Sequence, residues 1–255
     1  MTAIRIPIGD SSDLDSILLD GELIIPGNND EMPKGIVLFA HGSGSSRHSP
    51  RNKYVAQVLQ KDGLATMLVD LLTQEEEEVD TKAQGITYKI PGLVLNKFNI
   101  PLLAKRLVSI TDWLVQNPDT RNSIVGYFGA STGTAAALIA AAQRPDIVSA
   151  IVSRSGRPDL TGPNYIKLVK APTLLVVGGK DAKNVIDLNK NALKELTAVE
   201  KKKFVEVPGA THLFEEPGTL EEVARLASGW FRCYFQIKQH NTNNSKKESQ
   251  KQERY

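Results

Sequence analysis

The chain has 255 residues, 41% hydrophobic and 24% charged, a composition that excludes a disordered or fibrous polymer and lets one α/β domain bury a parallel sheet. The formal charge of +2 is too small to argue for nucleic acid, and it gathers at the end: residues 238–255 hold five Lys/Arg against two Glu, leaving a body close to neutral. The single cysteine, Cys233, excludes an intramolecular disulfide, no window reaches the roughly 18 apolar residues of a membrane span, and the N-terminus lacks an apolar signal core, so a cytoplasmic enzyme is the expectation.

In chain order, two strand-like runs at 3–8 and 17–25 flank a Gly/Asp/Ser cluster and predict a hairpin that extends a sheet. From Gly35 onward, apolar runs at 36–40, 65–69, 124–128, 150–152, 174–177 and 204–207 alternate with helical segments. That alternation predicts a mostly parallel, eight-stranded sheet with helices on both faces. Between 101 and 116, Leu103, Leu107, Ile110 and Leu114 recur at spacings of four, three and four, which gives that helix one apolar face. Leu220, Val223, Ala227, Trp230 and Tyr234 do the same in the last helix. Residues 71–100 carry no clear element and read as a site-lining loop or flap, with Glu75–Glu78 as solvated surface. A single domain over 1–237 is followed by a polar, basic segment, 238–255, whose composition predicts disorder and no catalytic role.

Chemistry enters at Gly129-Ala130-Ser131-Thr132-Gly133. The G-x-S-x-G pattern stands between an apparent strand and an Ala-rich apparent helix, the context in which a sharp turn lifts a serine oxygen above the carboxyl edge of a sheet. A serine hydroxyl needs a base, and His212 follows the last core strand, while His41 and His48 precede the serine and His240 lies in the tail. His41 reads as a brace of its loop and His48 as surface. Asp181, at the end of the strand and Gly-Gly turn 174–180, is the candidate acid, with Asp159 and Asp187 as rivals. Two N–H groups should hold an oxyanion: that of Thr132, directly after the nucleophile, and that of Ser43 in the loop His41-Gly42-Ser43-Gly44. Arg47, Arg51, Arg154 and Arg157 flank the presumed site loops, and Arg47, Arg51 and Arg157 are taken as candidate substrate-binding residues.

The elbow, the His41 loop, the Asp181 strand end and the His212 loop together resemble the α/β-hydrolase superfamily. The stretch from His41 to Asn52, with Asp70-Leu-Leu-Thr-Gln-Glu-Glu-Glu-Glu78, is similar to its dienelactone-hydrolase-like branch, and the likeness covers residues 3–237. It implies a single α/β-hydrolase domain without cofactor or metal, acting on an ester, lactone or related acyl bond of a small molecule. Dienelactone hydrolases proper use a cysteine nucleophile, whereas position 131 is serine. The reading leaves acyl transfer and ligand binding as alternatives. Expected partners are a small acyl substrate, with no nucleic acid and no membrane, in a monomer or homodimer.

Overall fold

The structure is a computed structural model that describes residues 2–9, 17–27, 35–83 and 95–252, without the side chains of 245–252. The strands are β1 (Thr2–Ile8), β2 (Ile17–Ile24), β3 (Gly35–Ala40), β4 (Ala65–Val69), β5 (Ile124–Ala130), β6 (Val148–Arg154), β7 (Thr173–Gly178) and β8 (Lys202–Val207). The helices are α1 (Pro50–Lys61), α2 (Gln74–Ala83), α3 (Ile100–Gln116), α4 (Thr132–Gln143), α5 (Pro163–Ile166), α6 (Lys183–Glu195) and α7 (Thr219–Gln252). All eight strands form one sheet in the order β1-β2-β4-β3-β5-β6-β7-β8. The β1–β2 hairpin and the β2–β4 pair are antiparallel and every other pairing is parallel, as the sequence pattern predicts.

Alternation along the strands sends side chains into two cores. Tyr127 of β5 packs with Leu103, Leu107 and Leu138 of α3 and α4, while its neighbour Phe128 packs with Val55, Leu59, Val223 and Phe231 of α1 and α7. Gly126 is where α7 comes closest: a Cβ there would lie 2.8 Å from both Phe231 and Phe235. The Tyr127 hydroxyl, fully buried, is 2.5 Å from Thr111 Oγ1 of α3, which satisfies both groups.

Residues 71–100 differ from their sequence reading. Residues 74–83 form α2, 96–98 form a 3-10 turn, and 84–94, the middle of the expected flap, lie outside the described residues. Nor is Glu76 solvated surface. Both its oxygens accept from the buried Arg106 guanidinium of α3, at 2.5 and 2.7 Å, and burial, which raises its pKa, is outweighed by these bonds and the Thr73 N–H, so its carboxyl sits below the usual range. The final helix likewise passes the expected boundary at 237 and runs to Gln252, whereas the sequence reading gave 238–255 no element. Lys, Gln and Glu are good helix formers, and extending a helix already anchored by its packed half requires no new nucleus.

Candidate active site

The elbow takes its shape from three residues. Ser131 caps α4 with φ 50° and ψ −124°, a left-handed conformation that costs a non-glycine residue about 1–3 kcal/mol. The flanking glycines make it sterically possible: a Cβ at Gly129 would lie 2.6 Å from Thr134 Cα, and one at Gly133 would lie 2.2 Å from the Ala40 carbonyl oxygen. Ser131 N–H donates to Arg154 O at 3.2 Å, which ties the turn to the end of β6.

Across the sheet's carboxyl edge, Asp181 and His212 meet. His212 Nδ1 lies 2.9 and 3.0 Å from the two Asp181 oxygens and, as the Nδ1–H tautomer, donates to that carboxylate. Two strand ends hold the loops together: Gly179 N–H donates to Val207 O and Lys180 N–H to Ala210 O, each at 2.8 Å. A Cβ at Gly178 would lie 2.4 Å from Ala210 O, so the loops touch there without side chains. Asp181 has further partners, Ala182 N–H at 2.8 Å and the Ser155 hydroxyl at 2.7 Å. Ser155, buried after β6 with φ 41°, was missed by sequence reasoning, because nothing local shows that the ends of β6 and β7 are adjacent. Among the described residues no hydrogen bond joins Ser131 Oγ to His212; such contacts commonly tighten only when substrate is bound. The rivals are accounted for: Asp159 is bound to Arg157, and Asp187 lies within α6.

The loop after β3 covers Ser131, since a Cβ at Gly42 would fall 3.0 Å from Ser131 Cβ. Thr132 is the first residue of α4, so its N–H has no acceptor within the helix. Ser43 N–H donates to Thr132 Oγ1 at 2.8 Å, which brings the two expected oxyanion residues together and occupies the Ser43 donor. His41, buried, braces this loop as the sequence suggests: its Nε2 accepts from Leu71 N–H and its Nδ1 donates to Gly42 O, both at 3.0 Å. This pattern fixes the neutral Nδ1–H tautomer, and burial lowers the pKa. His48 is largely exposed. A cavity of about 280 Å³ opens beside the loop, lined by Ser43, Ser45, Glu77, Asp80 and Lys97.

The candidate arginines divide. Arg47 spends its charge on Asp70 and Arg157 is bidentate to Asp159. Arg51 reaches only an exposed Glu215, at 3.4 Å, and Arg154 is buried without a carboxylate partner among the described residues.

Residues 19–240 match the dienelactone hydrolase family. The chain belongs to that family. A dienelactone hydrolase from Anabaena variabilis is 55% identical, with a TM-score of 0.79 over 91% of this chain and 97% of that one. Est1E from Butyrivibrio proteoclasticus shares the fold at 17% identity, with a TM-score of 0.68 over 91% and 98% of the two chains. A Mycobacterium tuberculosis protein, named as an unproven phosphoribosyl transferase in two strains, is 54% identical over 211 residues, 83% of this chain. The chain spans only 43% of the length of those curated relatives. Family membership and these neighbours support a hydrolase, and no described helix is long and apolar enough to cross a membrane.

Proposed function

We propose that this chain is a serine hydrolase that cleaves an ester, lactone or related acyl bond of a small molecule through an acyl-enzyme. The observation that carries this reading is the Ser155–Asp181–His212 hydrogen-bond chain at the sheet edge where the strained Ser131 elbow stands. Ser131 Oγ attacks the carbonyl carbon while His212 Nε2 takes its proton, and Asp181 stabilises the imidazolium that forms. The tetrahedral oxyanion is held at the N-terminus of α4 by Thr132 N–H, and Ser43 N–H joins it by turning from Thr132 Oγ1, to which it donates here. His212 then gives its proton to the leaving oxygen, and water repeats the sequence on the ester of Ser131. No step calls for a cofactor. The cavity beside the 41–46 loop offers room for one end of the substrate.

The test is a fluorophosphonate probe with peptide mapping, together with Ser131→Ala. Labelling should fall on Ser131, and the variant should lose about 10³-fold or more in hydrolysis of short p-nitrophenyl esters. A variant that keeps a tenth of the rate would remove Ser131 from the mechanism.

A further inference from the structure

We propose that the cavity beside the 41–46 loop is a subsite for a neutral, polyhydroxylated ring, which makes sugar lactones and similar hydroxylated acyl compounds the substrate class. This deepens the hydrolase reading and rests on it. The cavity holds about 280 Å³, near the lower end of ligand pockets, and so has room for one small ring. Gly42 is the wall it shares with the elbow. A Cβ there would lie 3.7 Å from Ser131 Oγ, and the next lining residue, Ser43, is an expected oxyanion donor. A ring seated in the cavity therefore lies against the same loop that backs Ser131.

The lining separates into groups whose bonds are made and groups whose bonds are not. Asp80 accepts from Asn96 N–H and Lys97 N–H at 2.8 Å each, Thr81 Oγ1 donates to Glu77 O at 2.8 Å, and Ser46 Oγ accepts from His48 N–H at 3.2 Å. By contrast, the Glu77 carboxylate, the Lys97 ammonium and the hydroxyls of Ser43 and Ser45 have no hydrogen bond or ion pair among the described residues. Glu77 is half-buried. Burial and then the charge of Asp70 raise its pKa, and Arg47, itself bound to Asp70, offsets only part of this. Lys97 Nζ stands 5.7 Å from the centre of the exposed Phe98 ring, a weak contact. Charges of both signs, unpaired with each other, restrict the ligand. A cation drawn to Glu77 meets Lys97, and an anion drawn to Lys97 meets Glu77 and Asp80, so neither is favoured. A hydroxylated ring suits both, since the carboxylate accepts, the ammonium donates and the serine hydroxyls do either. Leu72 and Leu103, both buried, give the cavity an apolar wall for the C–H face of such a ring. On a lactone, attack by Ser131 Oγ at the carbonyl breaks the ring C–O bond, and the ring oxygen becomes a hydroxyl by taking the His212 proton. Water then frees the polyhydroxy acid.

The experiment compares kcat/KM for three lactones of equal ring size, D-galactono-γ-lactone, bare γ-butyrolactone and the cationic homoserine lactone, by acid release into a pH indicator. Wild-type enzyme should favour the hydroxylated ring over the bare one by about tenfold or more. In Glu77→Ala, in Lys97→Ala or in both, that ratio should collapse to about twofold or less. A ratio is read because a general loss of folded enzyme cancels from it. A wild-type ratio near one, a preference for homoserine lactone, or a ratio that survives in both variants overturns the subsite. Binding is read apart from catalysis in Ser131→Ala, where galactono-γ-lactone should raise Tm and γ-butyrolactone at the same concentration should not. If Ser131 escapes the probe and no lactone is opened, the hydrolase reading has failed and the Tm shift alone decides the subsite. A shift that Glu77→Ala abolishes in that background supports it, and no shift, or one that Glu77→Ala leaves in place, overturns it.

Discussion

Ser155 shows what a single side chain can do without touching substrate. Its hydroxyl occupies Asp181 Oδ2 at 2.7 Å, and Ala182 N–H occupies Oδ1 at 2.8 Å, so the carboxylate is clamped in the orientation that His212 meets. Its φ of 41° is unfavourable for serine, and the backbone bond Ser155 N–H to Val176 O at 2.8 Å holds it there. Ser155→Ala removes the hydroxyl and keeps the strain, whereas Ser155→Gly removes both. Each should lower kcat about tenfold with KM nearly unchanged, because the imidazole is less well oriented but substrate binding is untouched. If only one of the two variants is slow, the backbone rather than the hydroxyl is responsible. At this scale the elbow conformation at Ser131 and the Asp181–His212 contact were legible, since each rests on a short motif with its own turn chemistry. Ser155 was not, because its meaning depends on a contact between distant segments, β6 with β7.

Elements were legible where an apolar face repeats and obscure where it does not. The central strands bury continuous apolar runs, and α3 and the packed half of α7 bury periodic apolar residues, but in α2 the only buried residue is Asp80, so its acidic run carries no helical signature. Asp80 anchors α2 by accepting from Asn96 and Lys97 N–H at 2.8 Å each, a contact invisible in composition. His41 does comparable work between loops, joining the turn after β3 to Leu71 after β4. Its titration should be visible in stability. Burial puts its folded pKa below 6.5, so below that pH the unfolded chain binds a proton that the folded protein refuses. Stability is therefore fully present above 6.5 and lost as pH falls toward the folded value. Protonation also turns Nε2 into a donor facing the Leu71 N–H. His41→Gln, which cannot titrate, should show a shallower decline of Tm between about pH 7 and pH 5, the wild-type excess being at most about 1.4 kcal/mol per pH unit. Parallel curves for the two proteins would show that His41 does not set this dependence.

For the whole molecule, the question is where the hydrolase body ends. Phe235, 3% exposed, fills the space left by Gly35 and Gly126 and is the last side chain in the core. Ile237 is already 48% exposed, and residues 238–244 are exposed throughout. Beyond the core, helical form survives without burial, and a helix that buries nothing adds little to stability. Lys238 Nζ reaches back to Asp146 O at 3.4 Å, between exposed groups. We propose that 1–237 is the functional domain and that 238–255 is dispensable to it. Truncation after Ile237 should change stability within about 0.5 kcal/mol, and hence Tm by about 1–2 °C, with the esterase rate retained. Truncation after Tyr234 makes the contrast: losing Phe235 leaves a cavity over the sheet glycines and should cost about 3–5 kcal/mol. The two Tm values place the boundary between residues 234 and 237. A drop of several degrees in the longer variant would show that the polar half of α7 docks on the hydrolase body and belongs to its fold.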